Sequence, residues 1–213
     1  MLFRSGLAFY AIDGTWARAD DRTNPWKLYN WTKESPRRYY EGPQGLFNGG
    51  TGISTLAIAK DVKQQVCSDF CAVGGKNITV NLTGWSRGAV AAVWVAVLLN
   101  EQGCDCGCGT KRPIPVNWIG LFDAVNMAWT EPPPASVPPN VAHFYHAVKT
   151  RTDQWYFPTF HFGGGTERRI YNYRDPILSS HGDVGTSDTA TETHINGAEN
   201  WIQDTAVASG VKF

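Results

Sequence analysis

The sequence predicts an α/β fold: an α/β-hydrolase-like three-layer sandwich around a mainly parallel sheet. Two observations carry that expectation. Short apolar runs alternate with helical patterns along the chain, which is how strands and crossover helices of a parallel sheet read. One of these runs leads through Gly84-Trp-Ser86-Arg-Gly88 directly into a helix of small residues. At 213 residues, with no internal repeat, the chain reads as a single domain over 1–213.

The elements follow in order. The run 7–12 is apolar and stops at Asp13-Gly14, a turn signal, so it reads as a buried strand. Residues 15–52, rich in Gly, Pro, Asn and aromatics, read as a long irregular loop. Residues 53–70 repeat apolar side chains at helical spacing, with Gly52 before them and Gly74-Gly75 after. Strand 78–82 and the largely buried helix 87–100 follow, then strand 116–122. Residues 131–140 hold five prolines and must be extended. Strand 141–148 comes next, then an aromatic, Gly-rich stretch over 154–166. Residues 194–209 form a closing helix, with Ile195, Ala198, Trp201, Ile202 and Ala206 on its apolar face.

Composition excludes several classes. Apolar residues make up 42% and charged residues 18%, which is too apolar for disorder. The formal net charge is zero and the basic pairs are scattered, so no nucleic-acid surface is expected. No stretch reaches the roughly 20 apolar residues of a membrane helix. The first residues read as the start of a strand rather than a signal peptide, which points to a cytoplasmic protein or to signal-independent export. Asn30, Asn77 and Asn81 stand in Asn-x-Thr sequons, but the last two flank or occupy a buried strand.

Five cysteines fall in two groups, Cys67/Cys71 and Cys104/Cys106/Cys108. The Cys104–Cys108 run could hold a soft metal ion through thiolates. Disulfides and free loop thiols are the other readings, and the sequence does not choose among them. The site predicted below needs no metal and no cofactor.

Gly84-x-Ser86-x-Gly88 between a strand and a helix is the nucleophile-elbow pattern. The chain must turn sharply there so that the serine Oγ stands clear of the sheet, and glycines fit where flanking side chains would clash. The helix N-terminus and the Arg87 amide can then stabilise an oxyanion. In this fold an acid and then a histidine follow the serine. Asp123, which ends the apolar run 118–122, is the candidate acid, with Asp153 and Asp175 as rivals. His181, in a turn-rich loop shortly before the closing helix, is the candidate base, with His161 as the alternative. His143 and His146 lie within a strand and read as packing or hydrogen-bonding residues, and His194 stands at the start of the last helix. Gly14 and Thr15, after the first strand, are candidates for the second oxyanion donor, and Asp13 could position that loop or bind a cation.

Ala11-Ile-Asp-Gly-Thr-Trp16, Tyr39-Tyr-Glu-Gly42, Gly84-Trp-Ser-Arg-Gly-Ala89, Gly120-Leu-Phe-Asp-Ala-Val125 and Ser180-His-Gly-Asp-Val-Gly185 occur in that order. Together they resemble the DUF2235 family of α/β-hydrolases, which includes the Tle1-like phospholipases delivered by bacterial type VI secretion systems. The strand 141–148 and the segment 201–210 resemble that family's strand before the histidine loop and its closing helix. The resemblance implies a Ser86, Asp123, His181 triad and ester hydrolysis through an acyl-enzyme. The expected partner is a small ester or a lipid, and peripheral membrane contact is compatible with it. The aromatics Trp16, Trp26, Tyr29, Trp31, Tyr39, Tyr40 and 155–162 could wall an acyl pocket. A catalytically inactive binding module on the same scaffold and an acyltransferase are the alternatives.

Overall fold

The computed structural model describes residues 6–44, 53–75, 78–107, 111–126, 132–170, 179–186 and 197–213. Its centre is a six-stranded sheet in the order β2-β1-β3-β4-β5-β6, with every pairing parallel. The strands are β1 (Gly6–Ile12), β2 (Arg37–Tyr40), β3 (Ile78–Trp85), β4 (Val116–Phe122), β5 (Val141–Val148) and β6 (Thr166–Arg169). The helices are α1 (Asn24–Trp31), α2 (Ile53–Ala72), α3 (Arg87–Glu101), α4 (His181–Gly185) and α5 (Ala198–Ala208). The expected α/β-hydrolase-like sandwich is therefore the fold.

Side chains alternate across each strand, so β1 feeds two cores. Ala8, Tyr10 and Ile12 point to the face covered by α2 and α3, where they join Val80, Leu82, Val93 and Leu99. Phe9 and Ala11 point to the opposite face and pack with Trp118, Ile202 and Ala206 under α1, α4 and α5. This is why β1 reads as a continuous apolar run rather than as an alternating one.

Several elements differ from the sequence expectation. The stretch 15–52 contains α1 and β2. Thr23 caps α1 by accepting from the Trp26 N–H, and Pro25 stands in its first turn, where no intrahelical donor is lost. β2 pairs alongside β1 at a sheet edge. The stretch 154–166 leads into β6, the other edge. The loop expected around His181 is a short helix. Ser180 accepts from the Asp183 N–H while the Asp183 carboxylate takes the Ser180 N–H, a reciprocal cap. Strand β3 runs on to Trp85, and the closing helix is described from Ala198, so His194 lies outside the described residues. Asp175, Asn77 and Cys108 lie outside them as well.

The cysteines resolve into two disulfides, Cys67–Cys104 and Cys71–Cys106. They join α2 to the loop after α3. The metal reading of the Cys104–Cys108 run is not supported, since two of its thiols are spent in these bonds. Among the described residues no cluster of His, Cys, Asp and Glu could hold a metal ion. No helix among them is long and apolar enough to cross a membrane. Asn81 is fully buried in β3, bonded to the Ala8 carbonyl and to Asn117.

Candidate active site

The carboxyl ends of β1, β3, β4 and β5 converge on one rim of the sheet, where open α/β folds place their chemistry. Ser86 follows β3 and opens α3. Its backbone is at φ 57°, ψ −125°, a conformation that L residues avoid and that persists only where the surroundings enforce it. The enforcement is visible at the two glycines. A Cβ on Gly84 would meet the Gly88 carbonyl oxygen at 2.4 Å, and a Cβ on Gly88 would meet the Asp13 and Ile12 oxygens at 2.3 and 2.4 Å. Both glycines thus let α3 seat directly on β1 and β3. The Ser86 N–H donates to the Phe122 carbonyl at 3.0 Å, which fixes the turn against the end of β4.

Asp123 follows β4, also at positive φ (36°), and is fully buried. Its Oδ2 accepts from His181 Nδ1 at 2.7 Å. The carboxylate therefore fixes the imidazole tautomer, with the proton on Nδ1 and Nε2 free as a base. Burial pushes Asp123 up. The hydrogen bond from His181, the charges of His181 and Lys149, and the Thr159 hydroxyl outweigh it and leave the carboxyl below its ordinary range. His181 is itself buried, its ring stacked on Trp85 (centroids 5.2 Å apart) and on Phe157 (4.7 Å), while its backbone N–H donates to Gln154 Oε1. Ser86 Oγ and the imidazole are not hydrogen-bonded to each other; such contacts often tighten only in the substrate complex.

The loop after β1 leans on the serine: a Cβ on Gly14 would lie 3.1 Å from Ser86 Cβ. Asp13, fully buried, holds that loop. Its carboxylate accepts from the Gly14 N–H (2.9 Å), Tyr39 OH (2.7 Å) and Thr23 Oγ1. Burial raises Asp13 to about 6 against these hydrogen bonds. Since the Gly14 N–H is already given to Asp13, the Thr15 N–H is the donor this loop has left to offer. Arg87 is buried behind the elbow. Its Nε donates to Thr55 on α2 at 3.0 Å, and burial lowers the guanidinium to about 10.

The structure thus brings Ser86, Asp123 and His181 to one rim together with Gly14, Thr15 and Arg87. Two candidates lie elsewhere. Asp153 is exposed and paired with Arg151. His161, well exposed, gives its Nδ1 contact to Glu167 at 2.8 Å. The same glutamate bonds His146 Nδ1 at 2.8 Å, and His146 Nε2 accepts from the Ala124 N–H. His146 therefore serves hydrogen bonding beside the acid, in keeping with its place in a strand. Of the aromatics expected around a pocket, Phe157 reaches the histidine, Tyr39 serves Asp13, and Trp155 is 82% exposed. Sequence reasoning missed Lys149 and Thr159, which both bond Asp123. One signal existed for the first: a lysine at the carboxyl end of the strand next to the acid's strand.

The chain has an α/β-hydrolase-like fold, with a serine on a strained strand-to-helix turn and a buried Asp–His pair beside it. No protein-family model and no curated protein matches it. Among solved structures, it is similar to an uncharacterized protein from Pseudomonas aeruginosa. The TM-score is 0.62 at 13% identity over 97% of this chain, which spans 46% of that protein's length. That likeness shows a shared fold. A cutinase-like protein from Cryptococcus sp. is similar at 16% identity and a TM-score of 0.38, covering 65% of this chain and 75% of that one.

Proposed function

We propose that the protein is a serine hydrolase that cleaves carboxylic esters through an acyl-enzyme on Ser86. The observation that carries this reading is the buried 2.7 Å bond from His181 Nδ1 to Asp123, set beside a serine at positive φ. Asp123 holds the neutral imidazole in the tautomer whose Nε2 faces the reaction as the acceptor, and stabilises the imidazolium once it forms. Nε2 takes the Ser86 proton as Oγ attacks the ester carbonyl. The Arg87 and Thr15 N–H groups hold the oxyanion of the tetrahedral intermediate. His181 then returns the proton to the leaving alcohol. A water then gives a proton to His181 as its oxygen attacks the acyl carbon, and His181 passes that proton to Ser86 Oγ as the Oγ–C bond breaks and the acid leaves.

The motif order shared with the DUF2235 family supports the same chemistry and makes membership in that family part of the proposal. The substrate is a small ester or a lipid. A rim bearing the exposed aromatics Trp155, Tyr156 and Phe157 is compatible with a substrate presented at a lipid surface.

Ser86→Ala is expected to lower turnover of a p-nitrophenyl acyl ester by about 10³-fold or more, with the fold intact by circular dichroism. Turnover retained in that variant would remove Ser86 from the mechanism. The lack of a hydrogen bond between Ser86 Oγ and the imidazole favours a second reading, a binding module on an inactive scaffold. That reading requires that the wild-type chain turn over no ester.

A further inference from the structure

The carboxylate of Asp123 is not reserved for the histidine. Lys149, the residue after β5, has a side chain only 4% exposed and reaches the same Oδ2 with its ammonium at 3.1 Å. Its backbone N–H points to Oδ1 at 3.3 Å, where Thr159 Oγ1 also donates at 2.7 Å. Lys149 Nζ further donates to Thr159 Oγ1 at 2.8 Å and to the Phe157 carbonyl. The three partners of Nζ are a carboxylate, a carbonyl and a hydroxyl whose own proton is committed to Asp123. All three can only accept. Three acceptors take three N–H groups, so the nitrogen is an ammonium and carries its charge in the buried site.

We propose that Lys149 is a positioning residue for the Asp123–His181 pair: its charge keeps the carboxylate ionised and its three bonds aim Oδ2 at the imidazole. This rests on the reading of Ser86, Asp123 and His181 as the catalytic set. Two consequences follow. The ammonium ties the acid to the 157–159 segment. That segment also lays Phe157 on the His181 ring, so one side chain sets both the hydrogen bond and the stack. The positive charge also opposes uptake of a proton by the pair, whichever of its two members receives it. The site therefore stays in its basic, working form further into the acid range than an Asp–His pair without a lysine.

Among the described residues the charged and titratable groups facing this pair are few. His146 of β5 meets the Ala124 N–H beside the acid and is paired with Glu167 of β6. Lys149 comes from the end of β5. Asp183, on the histidine's own helix, is turned to the Ser180 N–H. Arg151 and Asp153 pair with each other at the surface. Gln154, Phe157 and Trp85, which touch His181, carry no charge.

The test is the pH profile of kcat/KM for a p-nitrophenyl ester in the wild type, Lys149→Gln and Lys149→Arg. An opposite charge at this range displaces a carboxylate by about one to three pH units. The acid limb of Lys149→Gln is therefore expected to move up by at least about one unit, with kcat lowered and KM little changed. Lys149→Arg, which keeps the charge, is expected to hold the limb near the wild-type position. A limb that stays put in Lys149→Gln overturns the inference and leaves the serine-hydrolase reading standing. A wild type without ester turnover overturns that reading and this inference with it. Should Lys149→Gln fail to fold, the same upward movement is required of Lys149→Met, which keeps the length of the side chain and removes the charge.

Discussion

Gly42 stands two residues beyond β2 and is not a member of the Ser86, Asp123, His181 set, yet its replacement is expected to disable the site. A Cβ there would lie 1.5 Å from the Gly14 carbonyl oxygen, 2.3 Å from its carbon and 2.9 Å from the Asp13 oxygen. All three are backbone atoms, so no side chain can swing aside. Cβ atoms essentially never come within 3.0 Å of such neighbours, so the 13–15 loop and the Gly42 backbone must separate by at least 1.5 Å. The loop cannot move freely, because Asp13 is tied to Thr23 and Tyr39 and the Trp16 N–H to the Pro43 carbonyl. It carries the Thr15 N–H assigned to the oxyanion, and a misplacement of about 1 Å costs on the order of 10²-fold in rate. Gly42→Ala is therefore expected to lower kcat for a p-nitrophenyl ester by about 100-fold or more. The overpacking should cost about 1–3 kcal/mol of stability. Turnover at matched pH and urea unfolding of the same sample measure both. Turnover within about threefold of wild type in a normally folded Gly42→Ala chain would refute the assignment of the oxyanion donor to this loop.

Two further outcomes follow from the same contacts. Cys67–Cys104 joins residues 37 apart, and Cys71–Cys106 joins nearly the same two segments, 35 apart. Either bond alone closes the loop, so Cys67→Ser/Cys104→Ser should cost little. Removing both bonds should cost about 4 kcal/mol in the chain-entropy account, which urea unfolding with and without reductant checks. Asp13 gives a pH signature. Burial raises it to about 6 in the folded chain, so the folded state holds this proton more tightly than the unfolded state does. The stability it contributes is full below its ordinary range and is lost as pH rises through about 6. The stability deficit of Asp13→Asn relative to wild type should therefore shrink between about pH 4 and about pH 7, and a deficit that grows would contradict the burial argument.

The parts of the site that were legible in the sequence are those whose cause is local. A strand-to-helix turn demands Gly84 and Gly88, and the apolar run ending at Asp123 announces a carboxylate at a strand's carboxyl end. His181 was legible as a residue of a turn-rich segment, although the Ser180/Asp183 cap that makes the segment a helix was there to be read. Thr23 and Pro25 likewise marked the start of α1 within a stretch that looked irregular. What was not legible depends on pairing between distant segments. Arg-Arg-Tyr-Tyr at 37–40 shows no clean alternation, and it becomes a strand only because β1 offers its edge. The cysteine pairing depends on α2 lying beside the loop after α3. Lys149 and Thr159 meet Asp123 only because β4 and β5 are neighbours and the 157–159 segment folds back over both. The engagement of the Gly14 N–H by Asp13, which leaves Thr15 as donor, is a property of side-chain direction that spacing does not carry.

The most direct measurement is the reaction of the purified protein with a fluorophosphonate probe, with the labelled residue mapped by peptide mass spectrometry. The account predicts labelling at Ser86, lost in Ser86→Ala and slowed by at least about 10³-fold in His181→Ala. Labelling of Ser86 that proceeds at the wild-type rate without His181, or a wild-type protein that does not label at all, would contradict it.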